Sequence, residues 1–343
     1  MTLELVPSQG QAFLHLTRSH PQGRHYVVTG AAGFIGSHLC ERLIADGHWV
    51  VGVDSFTEYY SDALKRDNLR ELLSEPRFQL LETDLAEFAW DQLLPWADGV
   101  FHLAGQPGVR PSWGDGFASY TRDNVLVTQR LLEALMRHPV PAVQASSSSV
   151  YGRQERERLA EGTPMTPASP YGMSKMSCEH LARIYADQHD TKMVSLRYFT
   201  VYGPRQRPDM AFTRFINAGL AQEPVHLLGS GKQTRDFTFV ADIVDATVKA
   251  MGAPSPVYNI GGGTPASIRR VVRLIGEALG QPLAAERRPV AEGDVTHTWA
   301  DTTLARSELQ WRPRTKLIDG LAAQIAWCRA LHEAGDAAAV EAS

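Results

Sequence analysis

Along the chain, short apolar runs that end in glycine or aspartate alternate with longer stretches whose apolar residues recur at helical spacing. HYVVTG (25–30) is apolar on both faces and closes on glycine, which predicts a buried strand. SHLCERLIADG (37–47) follows as a helix ended by Gly47. WVVGVD (49–54), FQLLETD (78–84) and GVFHLAG (99–105) read as further strands, with ALKRDNLRELL (63–73) as a helix among them. NVLVTQRLLEALMR (124–137) again places apolar residues on one helical face, and AVQASSSSVYG (142–152) returns to strand and then loop. Uniformly apolar strands alternating with helices predict a parallel sheet covered on both faces, an α/β doubly wound domain.

This alternation spans residues 25–200. Before it, residues 1–24 are polar and punctuated by proline and glycine, and read as a loose arm. After it, loops rich in the same two residues (YGPRQRPDM, LLGSGKQTRDF, NIGGGTP) separate helical runs near 212–221 and 267–279. Residues 201–330 therefore read as a smaller C-terminal lobe interleaved with the end of the sheet, and 331–343 as an alanine-rich tail.

Composition acts mainly by exclusion. A hydrophobic fraction of 43%, a charged fraction of 21% and a net charge of −4 with scattered basic residues exclude nucleic acid and an anionic membrane as expected partners. Cys40, Cys178 and Cys328 lie far apart, with no metal-ligand spacing, so no metal is expected and a reducing compartment fits. The N-terminal stretch lacks a basic start followed by an apolar run, and no window reaches the roughly 20 apolar residues that span a bilayer. A cytoplasmic location is the expectation.

Two stretches carry chemistry. The first strand runs into Gly30-Ala-Ala-Gly33-Phe-Ile-Gly36 and then a helix, a GxxGxxG form of the dinucleotide fingerprint. Gly30 allows the tight turn, Gly33 lets backbone approach a pyrophosphate, and Gly36 allows close helix–strand packing. The helix N-terminus offers N–H groups and partial positive charge to the phosphates. Asp54 ends the second strand, where a carboxylate accepts both ribose hydroxyls and repels a 2′-phosphate, which favours NAD over NADP. Asp84, after the third strand, is a candidate acceptor for the adenine amino group; a solvated loop aspartate is the equal alternative. The second stretch is Tyr171-Gly-Met-Ser-Lys175. On a helix this spacing puts the ammonium beside the phenol, and with a cationic nicotinamide it favours the phenolate, a usable base. The preceding SSSSVYG supplies hydroxyls to share the proton.

TGAAGFIGSHL, HLAGQPGVR, SSSSVYG, SPYGMSK, RYFTVYGPRQRPDMA and RDFTFVADI together resemble an extended short-chain dehydrogenase/reductase acting on a nucleotide sugar, over roughly residues 25 to 330. The resemblance implies a Rossmann-like domain, tightly held NAD and a C-terminal lobe that clasps the nucleotide sugar. It makes Tyr171 the base, Lys175 its partner and Ser147 the hydroxyl that shares the proton. Asn124 matches an asparagine that supports the lysine, a role compatible with a helix cap before VLVTQRLLEAL. Phe34, Ile35, Leu85, Leu103, Ala104 and Tyr198 join the expected NAD contacts. The implied first step is oxidation at sugar C4. Members of the family are often homodimers through four helices, two from each subunit, with 124–137 and 171–189 as the candidates here.

EYYSDALKRDNL, HLAGQPGVR, SSSSVYG, FTVYGPRQRPDMA and EGDVTHTWAD further resemble the UDP-glucuronate 4-epimerases. That resemblance implies a carboxylate clamp of Ser148, Ser149 and Thr200 with Arg207, and a pyrophosphate contact from Arg235; Asp294 falls in the last segment. A surface ion pair is the alternative reading of either arginine. Dehydratases of the superfamily carry an Asp-Glu pair where this chain has Ser148 and Ser149, so dehydration is not expected. UDP-glucuronate decarboxylases have Glu at the position of Ser149 and Asn at that of Thr200, which ranks them second. A 4-ketoreductase, or an epimerase of another nucleotide sugar, comes third.

Overall fold

The computed structural model describes residues 23–154, 158–290 and 292–333, with the backbone of Thr2–Leu3 paired antiparallel to Leu16–Thr17. The rest of the expected arm, and the part of the expected tail beyond Glu333, lie outside the described residues. Strands β1 (His25–Thr29), β2 (Trp49–Asp54), β3 (Phe78–Glu82), β4 (Gly99–His102), β5 (Ala142–Ser147), β6 (Met193–Tyr198) and β7 (Val257–Ile260) form a single seven-stranded parallel sheet. Their order is β7-β6-β5-β4-β1-β2-β3, so the winding direction reverses between β1 and β4. In such a sheet the crevice at the reversal, outside the carboxyl ends of the strands, is where ligands bind.

The strands read as continuous apolar runs because both faces are covered. Val27, Val51 and Val100 face one layer, formed with α3 (Val127–Arg137) and α4 (Pro170–His189). Tyr26, Val28 and Phe101 face the other, where α1 (Phe34–Ala45) and α6 (Val240–Lys249) pack. Each fully buried aliphatic side chain on these faces contributes about 1.5–3 kcal/mol over an exposed one. Residues after 200 build a third core from α5 (Ala211–Leu220), α7 (Ile268–Leu279) and α8 (Leu317–Glu333), around Phe212, Ile216, Val271, Ile275, Leu321 and Ile325. The same part of the chain also supplies β7 to the sheet.

Three boundaries differ from the sequence reading, each for a local reason. Helix α1 begins at Phe34 rather than Ser37, because the glycine turn closes straight into it: the Ser37 amide bonds the Gly33 carbonyl at 3.0 Å. The helix expected over 63–73 is α2 (Asp62–Asn68), followed by a separate turn at Leu72–Ser74. Its last residue, Asn68, is buried and donates to the Ala32 carbonyl at 2.9 Å, tying that end to the glycine loop. Ahead of α3, a short helix (Phe117–Tyr120) and a π-helical segment (Thr121–Leu126) run on without a break. Asn124 is thus inside a helical run, not at its cap. Among the described residues no helix is long and apolar enough to cross a membrane, and no group of three or more His, Cys, Asp or Glu side chains is arranged to hold a metal.

Candidate active site

A cleft of about 670 Å³ opens over the carboxyl ends of the strands, at the reversal. Its dinucleotide half is built by the glycine turn. Gly30 has φ of 69°, and a Cβ there would stand 2.8 Å from the Ala104 amide nitrogen. A Cβ on Gly36 would stand 2.0 Å from the Gly30 carbonyl oxygen, so only glycine lets α1 seat against the turn. At Gly33 a Cβ would touch nothing nearer than the Gly30 oxygen at 3.1 Å, and no side chain caps the helix, so its first amides stay open to the cleft. Phe34, Ile35, Leu85, Leu103 and Ala104 line the same wall.

Asp54 sits at the end of β2, as a ribose acceptor must. Its carboxylate accepts from the amides of Ala32 (3.0 Å) and Phe56 (2.9 Å), while burial raises its pKa above the ordinary carboxylate value. Asp84 lines the cleft further along, accepts from the Ala86 amide at 2.8 Å and pairs with Arg122. Burial opposes its charge, but the Arg122 guanidinium holds its pKa below the usual carboxylate range. The uncapped helix end, the glycine cradle and an acidic group at the strand end are together a donor and acceptor set that fits NAD.

The redox half rests on β5 and α4. Ser169 caps α4, its hydroxyl accepting from the Gly172 amide at 3.1 Å, and Pro170 starts the first turn. That turn presents Tyr171 half-buried at the cleft and Lys175 beneath it, only 8% exposed. The Lys175 ammonium donates to the Ala145 carbonyl on β5 at 3.0 Å. Two residues on, β5 ends at Ser147, whose Oγ accepts from the Ser149 amide at 3.1 Å and turns the chain so that Ser148 and Ser149 also line the cleft. Tyr120 packs edge-on to Tyr171, with ring centroids 6.0 Å apart. Its hydroxyl lies 2.6 Å from the Pro107 carbonyl and 2.9 Å from that of Gly108, which fixes the opposite lip.

Beneath this floor runs a buried polar relay. Thr29 Oγ1 accepts from the amides of Leu103 and Ala104, both at 3.1 Å, so its own proton goes to His102 Nδ1 at 2.8 Å. The other ring nitrogen of His102 then donates to Thr128 Oγ1 at 3.3 Å. Burial first, and the Lys175 charge second, push the imidazole down to about 3, so it is neutral. Asn124, 1% exposed, lies under the cleft rather than in its wall. It accepts from the Gln106 amide (2.7 Å) and donates to the Gln106 carbonyl (3.1 Å) and Ser174 Oγ (2.9 Å), which joins the loop after β4 to α4. Tyr198 reaches the cleft while its phenol is spent on Thr247 Oγ1 at 2.8 Å, inside the core.

The remaining wall comes from the part of the chain after β6. Thr200, Arg207 and Asp294 line it. Arg207 pairs with Asp209 through Nε at 2.9 Å and Nη2 at 3.0 Å, and its guanidinium stands 5.5 Å from the centre of the Tyr59 ring. Burial opposes the charge of Arg207, but Asp209 holds its pKa above the ordinary value. Arg235 stands behind this wall, its guanidinium engaged with Asp294 and with the Thr234 carbonyl. Sequence reasoning missed Tyr59, Tyr60, Lys65, Asp123 and Asp209, all of which line the cleft. Tyr59, Tyr60 and Asp209 come from loops, where no periodicity marks them, while Lys65 sits on α2 and Asp123 in the π-helical segment ahead of α3. EYYSDALKRDNL and RPDMA, segments already singled out, were the available signal for all but Asp123.

A model of the NAD dependent epimerase/dehydratase family matches residues 26–261. The chain is 43% identical over 312 residues to the uncharacterized UDP-glucose epimerase YtcB of Bacillus subtilis (strain 168), a match covering 90% of this chain and 98% of that one. The crystal structure of UDP-glucuronic acid 4-epimerase from Bacillus cereus in complex with UDP-glucuronic acid and NAD superposes with a TM-score of 0.87 at 40% identity, over 90% of this chain and 99% of that one. MoeE5, solved with NAD and either UDP-glucuronic acid or UDP-glucose, gives 0.80 at 41% identity, over 89% and 99%. These matches agree with the glycine turn, the Tyr171–Lys175 pair and the parallel sheet, and this chain belongs to the NAD-dependent epimerase/dehydratase family.

Proposed function

We propose that the protein is a UDP-glucuronate 4-epimerase that uses NAD and interconverts UDP-glucuronate and UDP-galacturonate in the cytoplasm. The observation that carries this is one cleft joining the glycine turn, Tyr171 and a wall of hydroxyls with a guanidinium, and bearing serine at 148 and 149. The structures with the bound nucleotide sugars, from Bacillus cereus and MoeE5, support the same reading.

In this reading residues 25–200 hold the dinucleotide and residues 201–330 mainly hold the sugar nucleotide. Tyr171 takes the proton of the C4 hydroxyl, Ser147 shares it, and Lys175, anchored on Ala145, keeps a positive charge below the phenol. Bound NAD supplies a reversible hydride acceptor for C4. Arg235 and Asp294 act on the pyrophosphate side. The 4-keto sugar is a β-keto acid, which loses CO₂ when the bond to its carboxylate aligns with the ketone π system. Ser148, Ser149, Thr200 and Arg207 hold the carboxylate away from that alignment while the ring turns to present its other face. A homodimer through α3 and α4 fits, since Leu126, Met136, Met173 and Ile184 stand exposed on and beside these helices.

The test is the product spectrum. Incubated with UDP-glucuronate and followed by proton NMR, the protein should form UDP-galacturonate and release no CO₂. UDP-pentose or a 4-keto-pentose as main product would replace this reading with a decarboxylase.

A further inference from the structure

The guanidinium assigned to the substrate carboxylate already has a carboxylate. Arg207 and Asp209 both line the cleft, two positions apart on one loop, and meet through two parallel hydrogen bonds of 2.9 and 3.0 Å. This is the bidentate geometry in which arginine binds carboxylates most strongly. The Arg207 side chain is 16% exposed and that of Asp209 34%, so the pair is screened less than a surface pair and still open to a ligand. Tyr59 frames it: its ring faces the guanidinium, and its hydroxyl points at Asp209 Oδ2 from 3.4 Å. Burial, ahead of the nearby charges, pushes the Tyr59 phenol up to about 12, so it serves as a donor at any working pH.

We propose that Asp209 is an internal competitor for the Arg207 guanidinium, and that it sets how far the site prefers an acidic over a neutral hexose. The proposal rests on the reading of the site as a UDP-sugar epimerase. With Asp209 in place the local charge sums to zero. An incoming uronate exchanges one carboxylate–guanidinium pair for another and leaves Asp209 to be rehydrated or to repel it. A neutral hexose breaks nothing, because its hydroxyl can donate to Asp209 and accept from Arg207. The net gain for a uronate is then the small difference between two similar interactions, and release of an acidic product is eased for the same reason. An unopposed arginine in the same wall would instead favour the acid by the full strength of a charge-assisted pair.

The test is calorimetric titration of the NAD-loaded full chain with UDP-glucose and with UDP-glucuronate, as wild type, Asp209→Asn and Asp209→Glu. The wild-type Kd values should lie within about tenfold of each other, the range that two near-cancelling ion pairs leave. Asp209→Asn should raise the preference for UDP-glucuronate by about tenfold or more, the size of one charge-assisted hydrogen bond regained. Asp209→Glu, which keeps the charge, should stay near wild type and shows that the position tolerates change. An Asp209→Asn preference that is unchanged or reduced overturns the proposal, and a reduced one makes Asp209 a prop for Arg207. Turnover of UDP-glucuronate by the wild type is scored separately. Binding without turnover counts against the epimerase reading, whereas turnover with an unmoved preference counts against Asp209 alone.

Discussion

Glu179 is placed to test how the redox half of the cleft is held, because it links α4 to the sheet from below. Its carboxylate accepts from Arg197 Nε at 3.0 and 3.2 Å, from Nη2 at 2.7 Å, and from the hydroxyl of Ser146, the neighbour of Ser147. The side chains of Arg197 and Glu179 are 4% and 7% exposed. Arg197 cannot swing to water when its partner is removed, since Nη1 is held by the Tyr151 hydroxyl at 2.8 Å and the Glu161 carbonyl at 3.0 Å. Glu179→Ala therefore strands a buried cation, which costs about 3–5 kcal/mol. The double change Glu179→Leu with Arg197→Met removes both charges and should recover most of that loss. Urea unfolding at fixed NAD concentration measures it, NAD being held constant because a ligand of the native state shifts the midpoint. A loss below about 1 kcal/mol for Glu179→Ala would mean that the pair is worth no more than an exposed one and that no buried cation is stranded.

Other outcomes follow from the same geometry. Tyr171→Phe should lower turnover by about 10²–10⁴-fold with NAD binding retained in titration, the range for loss of a general base. Arg207→Ala should let CO₂ appear beside the epimer, read by trapping labelled CO₂ from carboxyl-labelled UDP-glucuronate; a tight, CO₂-free reaction would remove that assignment. Gly36→Ala should abolish dinucleotide binding, because its Cβ would meet the Gly30 oxygen at 2.0 Å; wild-type NAD affinity would contradict this. His102 has a folded pKa of about 3, below its unfolded value near 6.5, so the unfolded chain takes up a proton that the native one refuses. Stability should thus be lost as pH is lowered from about 6.5 towards 3, by up to about 1.4 kcal/mol per unit from this residue. His102→Gln, which keeps a donor and an acceptor, should flatten that part of the slope in unfolding curves.

What was legible in the sequence is what periodicity and local stereochemistry fix. The strands β1, β2 and β4 are buried on both faces, so their apolar runs were unambiguous, and the glycine turn between β1 and α1 leaves sequence no other option where Gly36 meets Gly30. Strand β6, whose run is broken by the buried Ser195 and Arg197, was not read as a strand. Helix ends were less legible. The start of α1 lies inside the glycine turn itself, where the Ser37 amide already bonds Gly33, and the end of α2 is decided by Asn68 reaching Ala32, a contact that no local pattern encodes. Asn124 could be flagged but not placed, because its partners, Gln106 and Ser174, lie on two other segments. Likewise Arg207 and Arg235 both looked available for a ligand: Asp294 reaches Arg235 only when distant loops fold together, and the turn that brings Asp209 back onto Arg207, two positions away, follows no periodicity.

In the proposed reaction C4 of the sugar gives up a hydride inside this cleft and takes the same hydride back on the other face. UDP-glucuronate carrying deuterium at C4 tests it most directly. UDP-galacturonate should still carry the deuterium at C4 after many turnovers in ordinary water. Loss of the label to solvent, or its appearance at another carbon, would contradict it.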